Sequence, residues 1–254
     1  MEYLSVAAAR DLKGLRLVLT QGMPGPWAEA IKSIFAYKHI DYIAVSQHAG
    51  EANEELNAWT GQSSAPVAVL DQEAALSSWL DQLLLAERLQ PDRPLLPKDL
   101  EQRALVIGLS REVAGERGLG WNRRLQFLTP MMRSQKTPPS IQRMANKYGW
   151  SEAEFEASEA RIIDCLDYFK VRLRTQAHLQ SDYLVGAGAT AVDFYLANFM
   201  GMFRPLPETL NPMPEVLRRL YSQQIPALEP ALGAELFQHR DMMYQRHIST
   251  PLQF

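Results

Sequence analysis

The chain has 254 residues, of which 46% are hydrophobic and 22% charged, with a formal net charge of -3 and a pI of about 6.0. That length buries a real core in one large domain or two small ones, and without a basic surplus neither nucleic acid nor an anionic membrane is an expected partner. No apolar run approaches the ~20 residues that cross a bilayer, Met1-Glu2-Tyr3-Leu4-Ser5 lacks the pattern of a signal peptide, and a lone Cys165 leaves no internal disulfide, so a cytoplasmic protein is expected.

Residues 1–14 read as a small-residue arm ending at Gly14. Leu15 to Thr20 alternates as a first strand, and Gln21 to Pro26 is a loop of turn formers. Trp27 to Lys38 carries apolar residues at a helical period, with Pro26 at the first helical position. Tyr42 to Val45 is a second strand, so this strand–helix–strand unit implies a parallel pair with a right-handed crossover. Glu51 to Trp59 is a short polar helix closed by Thr60-Gly61.

Val67 to Leu70 follows directly on Pro66 as a short buried strand. Two readings of Ala65-Pro66 are open from these residues. A trans bond makes it an ordinary strand start, whereas a cis bond turns the Ala65 backbone outward to pair with an extended, peptide-like ligand. Asp71-Gln72-Glu73 then reads as a hairpin turn into Ala74-Ala75-Leu76, and Ser77 or Ser78 caps a helix running to Leu89. Three prolines within 90–97 mark an interdomain linker.

Beyond it the pattern is helical almost throughout. Asp99 caps a helix to Val113, Gly115 to Gly120 interrupts, and Trp121 to Leu128 resumes. Thr129 to Ser140, containing Met131-Met132 and Pro138-Pro139, reads as a loop. Ser151-Glu152-Ala153-Glu154 is a capping box opening a long helix to about His178. Thr190 to Asp193 opens another to Phe203, and two more cover about 213–224 and 231–248.

A small βαβ–ββα domain, a proline-rich linker and an all-helical domain together resemble the cytosolic glutathione transferases, and the bacterial members in particular. Ala65-Pro66 resembles their cis-proline, Leu85 to Leu89 before Leu95-Leu96-Pro97 resembles the end of their third helix and linker, and Leu184-Val185-Gly186 with Thr190 to Asp193 resembles the capping box and staple of their central second-domain helix. His239-Arg240-Asp241 with Tyr244 resembles the closing helix. The resemblance implies an α/β plus all-α fold: a thioredoxin-like domain over 1–89, a linker over 90–98 and an all-helical domain over 99–254. It implies the cis form of Ala65-Pro66, glutathione as substrate, and a homodimer. Thr190 and Asp193 take a structural capping role.

A glutathione transferase must bind a tripeptide and stabilise its thiolate, and a donor near the end of the first strand or a helix N-terminus does so. Residues 20–27 contain no Cys, Ser or Tyr; Gly25-Pro26-Trp27 stands where thiol-type members carry Cys-Pro and an aromatic. Thr20 is the only hydroxyl in reach and the candidate catalytic residue, alongside the backbone N–H groups near Trp27 and Ala28 and the Gln21 side chain. Ala65, Pro66, Ser77 and Ser78 complete the expected glutathione site, with Ser77 replacing the usual Glu or Gln. Trp121, Met131 and Met132 are expected along the cleft for the second substrate. Arg123-Arg124 reads either as a guide for an anionic substrate or as a solvated face. The five histidines show no metal-ligand spacing, so no metal is expected, and Cys165 reads as inert core.

The sequence therefore points to glutathione addition to a small apolar electrophile, or reduction by glutathione. The alternative is a non-catalytic binding or protein-interaction module that keeps the fold with a degenerate thiol-activating site.

Overall fold

A computed structural model describes all residues, Met1–Phe254. Leu15–Thr20 (β1) is the central strand of a three-stranded sheet. It pairs in parallel with Ile43–Gln47 (β2), from Arg16 opposite Ile43 to Thr20 opposite Gln47. On its other edge it pairs antiparallel with Val67–Leu70 (β3), from Leu15 opposite Leu70 to Val18 opposite Val67.

The N-terminal arm is more structured than its composition suggests. Leu4 pairs with Val45 and Val6–Ala9 (α1) forms one helical turn whose Ala8 N–H donates to the Ser5 hydroxyl. The crossover helix between β1 and β2 is Pro26–Tyr37 (α2), and Glu54–Thr60 (α3) is the short helix that precedes β3.

The expected hairpin partner of β3 shrinks to a single bridge, Ala68 with Leu76. Gln82 sits at the stop: its side-chain amide donates at 3.0 Å to the Pro66 carbonyl, the acceptor a longer ladder would use, and at 3.0 Å to the Leu76 carbonyl, which also accepts the Ala68 N–H of the bridge. Gln82 sits on Trp79–Leu89 (α4), whose first turn is capped by the Ser78 hydroxyl. Trp79 holds α4 against the second domain, edge-to-face with Tyr195 at 5.5 Å, while its carbonyl accepts from the Tyr195 hydroxyl.

The second domain contains Leu100–Ala114 (α5), Leu119–Met132 (α6), Pro139–Lys147 (α7), Glu152–His178 (α8), Ala191–Phe199 (α9), Glu215–Tyr221 (α10) and Ala234–Arg246 (α11). Two sequence expectations need correction here. Met131 and Met132 lie in the last turn of α6, which runs on through Pro130 at the loss of one hydrogen bond and closes with the Arg133 N–H on the Thr129 carbonyl. The stretch from Pro139 is also helical, with Pro139 at its start, where a proline is well placed.

The core of this domain is α9, all nine of whose residues are buried. Asp193 accepts hydrogen bonds from the Leu184 and Thr190 N–H groups, the Thr190 hydroxyl and His239 Nε2, at 2.8 to 2.9 Å. The capping box thus extends into a four-point anchor that ties the loop before α9 to α11. No helix is long and apolar enough to cross a membrane.

Candidate functional site

A cavity of about 220 Å³ opens between the two domains. The first domain contributes the end of β1, the start of α2, the turn after β2 and the backbone before β3; the second contributes α6, α7 and α10. Met23, Trp27, Met144 and Leu217 make its apolar wall.

Two sets of unpaired backbone groups face this space. The Ala65-Pro66 bond is cis, as is Thr250-Pro251. Ala65 lies on the cavity wall, and neither its N–H nor its C=O makes a hydrogen bond within the protein. Such a pair is the pattern an extended peptide backbone satisfies. At the start of α2, the first intrahelical bond runs from the Glu29 N–H to the Gly25 carbonyl at 2.9 Å. The N–H groups of Trp27 and Ala28 are left open beside the cavity, the arrangement that favours an anion.

Thr20 reaches the cavity wall, but its proton is engaged. Its hydroxyl donates to Gln47 Oε1 at 2.7 Å. The Gln47 amide cannot turn without loss, because its nitrogen donates to the His48 and Ser63 carbonyls. A Thr20 that serves a thiolate must therefore release Gln47. Gln21 is exposed and outside the cavity; its N–H continues the β1–β2 ladder to the Gln47 carbonyl. Ser77 and Ser78 are exposed, outside the lining, and the Ser78 hydroxyl is shared with Asp81.

Of the three residues expected along the second-substrate cleft, none lines the cavity directly. Trp121 stands behind it, edge-to-face with Tyr148 at 4.6 Å and donating to the Tyr148 carbonyl. Met131 and Met132 lie at the far end of α6. The wall is made instead by Arg124, Ser140, Arg143, Met144, Lys147, Tyr148 and Tyr221. Arg143 and Lys147 are four residues apart on α7, a spacing visible in the chain once the helix is known.

The pair Arg123-Arg124 is not a solvated face. Arg123 is 1% exposed and bonded to Gln126 and to the carbonyls of Met202 and Gln223. Arg124 points to the cavity, with its guanidinium facing the Tyr148 and Tyr221 hydroxyls and its Nε buried without a partner. Lys147 is exposed as a residue, yet its ammonium contacts the Ser64 hydroxyl at 2.8 Å on the cavity rim. Burial, together with the Arg124 charge, holds that ammonium below its ordinary value. Burial raises the Tyr148 phenol above its ordinary value despite Arg124 beside it. No group of three His, Cys, Asp or Glu side chains is placed to hold a metal ion.

The architecture matches solved structures across nearly its whole length. A glutathione S-transferase from Methylobacterium radiotolerans, in complex with glutathione sulfonate, superposes with a TM-score of 0.62 at 15% identity, over 92% of each chain. The fold is that of the glutathione S-transferases. One from Methylobacillus flagellatus with glutathione bound gives 0.62 at 15% identity, over 92% of this chain and 96% of that one. The nitrogen regulation fragment of the yeast prion protein Ure2p gives 0.62 at 11% identity, over 92% and 93%. No protein-family model matches the chain, and no curated protein does. Placed on the glutathione S-transferase fold, the three-stranded sheet with its following helix α4 is the thioredoxin-like half, and α5 to α11 the helical half.

Proposed function

We propose that this protein binds glutathione in the interdomain cavity and uses its thiolate against a small electrophile. The observation that carries the reading is the unpaired Ala65 backbone on the cavity wall, which offers both a donor and an acceptor to the cysteinyl part of the tripeptide. The glutamyl end then runs past Pro66 to the N-terminal turn of α4, where Ser77 and Ser78 stand. The sulfur lies at the start of α2, where the open Trp27 and Ala28 N–H groups favour the ionised form, with Thr20 on the same cavity wall. The thiol proton leaves to solvent. The sulfur lone pair then forms the S–C bond while the displaced group departs with its bonding pair. A homodimer in the cytoplasm and a role in detoxification are parts of the same proposal, carried by the sequence resemblance.

A second reading, a binding module without transferase activity, is favoured by one observation: no other hydroxyl or thiol lies in residues 21–27, and the Thr20 proton is given to Gln47. Calorimetric titration with glutathione, for the wild type and Ser78→Ala, tests the shared part. Binding that weakens in the variant by about 1–2 kcal/mol supports the placement. No heat and no thermal stabilisation at millimolar glutathione overturns both readings. Turnover of a panel of aryl halides and peroxides then separates enzyme from binder.

A further inference from the structure

Three cationic side chains converge on the cavity: Arg124 from α6, and Arg143 and Lys147 from α7. Glu51 is the one carboxylate among the residues that line it. The partners these cations do have are neutral. Arg143 donates to the Gly50 carbonyl and Lys147 to the Ser64 hydroxyl. Arg124 faces two phenol oxygens, with its Nε buried and unpaired. Arg124 and the Lys147 ammonium are drawn partly out of solvent, where a cation without a paired carboxylate is costly unless an anion completes it, while Arg143 stands exposed at the rim. A guanidinium meets a carboxylate through several parallel donors, which makes that pairing both strong and oriented.

The surroundings define the rest of the ligand. Met23, Trp27, Met144 and Leu217 form an apolar wall in the same cavity. An aromatic or branched aliphatic body fits that surface, with a charged head directed to the cations. We propose that the cavity is a site for a small organic acid, its carboxylate on Arg124 within the positive field of Arg143 and Lys147. The acid is the electrophilic co-substrate if glutathione binds as proposed above, and that role alone rests on the glutathione reading. The arginine pair in the sequence thus divides: Arg123 is structural, and Arg124 selects the ligand by charge.

Calorimetry with benzoate and its uncharged isostere benzamide tests the site without needing glutathione. Benzoate is expected to bind the wild type about tenfold or more tightly than benzamide, and to weaken as salt is added. Arg124→Gln is expected to abolish the preference, and Lys147→Gln to reduce it severalfold. The second variant lies at the exposed end of α7, so it answers even if the first fails to fold. Equal binding of the two probes, no binding of benzoate, or a preference that survives in Lys147→Gln and in a folded Arg124→Gln overturns the proposal. So does displacement of benzoate by glutathione, which would assign the cations to the tripeptide's own carboxylates. Absence of glutathione heat removes the co-substrate role and leaves the benzoate result to decide the acid site.

Discussion

Asp193 shows how a residue far from the chemistry can govern the whole. Fully buried, it receives four hydrogen bonds, and removing it strands the Leu184 and Thr190 N–H groups and His239. Asp193→Ala is expected to cost about 3–5 kcal/mol, measured by urea unfolding. Its capping role was legible in the sequence because Thr190 and Asp193 are three residues apart. His239, on another helix, was not. Thr20 is the same case at the site: its partner Gln47 belongs to a neighbouring strand, so no local pattern could show that its proton is engaged. Cys165 is pushed up to about 12, first by burial and then by nearby Glu112 and Asp164. It is expected to resist a disulfide reagent at about pH 8 until the protein is unfolded. His247, bonded to the Tyr183 hydroxyl, is held below its ordinary 6.5, first by burial and then by Arg246. Between its folded value and 6.5 the unfolded chain binds more protons, so stability falls as pH drops through that window. His247→Gln is expected to flatten this part of a melting-temperature profile against pH.

At the scale of elements, the sequence read best where periodicity and caps agree. The parallel strand pair, its crossover helix and the long α8 follow from local pattern, and Ser78, Asp99 and Ser151 each cap the helix expected of them. It read worst between residues 129 and 147, where prolines mark helix ends in one context and helix starts in another. That gap hid α7 and therefore two of the three cations of the cavity. Close packing was equally invisible. A Cβ on Gly120 would lie 2.2 Å from the Phe199 ring and 3.2 Å from Trp27, so this turn of α6 approaches the domain junction closer than any side chain allows. Gly120→Ala is expected to destabilise by about 1–3 kcal/mol, read by thermal unfolding, and to displace the Trp27 wall of the cavity.

Across the whole molecule, the stretch between α4 and α5 is a structural part and not a tether. Lys38, the fully buried residue that caps the C-terminus of α2, donates to Glu87 and to the Arg93 carbonyl, both at 2.7 Å. Glu87 also accepts from the Leu95 and Leu96 N–H groups, and the Leu95 carbonyl receives the Ala191 N–H at the head of α9. A continuous core runs from Leu17 and Ile34 through Leu95 to Phe194 and Leu236. The two halves are therefore expected to unfold in one transition, with tryptophan fluorescence and far-ultraviolet circular dichroism giving coincident curves in urea. Glu87→Ala, which leaves a buried ammonium, is expected to cost about 3–5 kcal/mol. Trp27 has a further consequence for the intact molecule. Of five tryptophans it alone lines the cavity, its indole fixed by a 2.7 Å hydrogen bond to the Ala114 carbonyl. The protein thus carries a built-in optical gauge: occupancy changes the emission of a single immobilised fluorophore, and Trp27→Phe silences it.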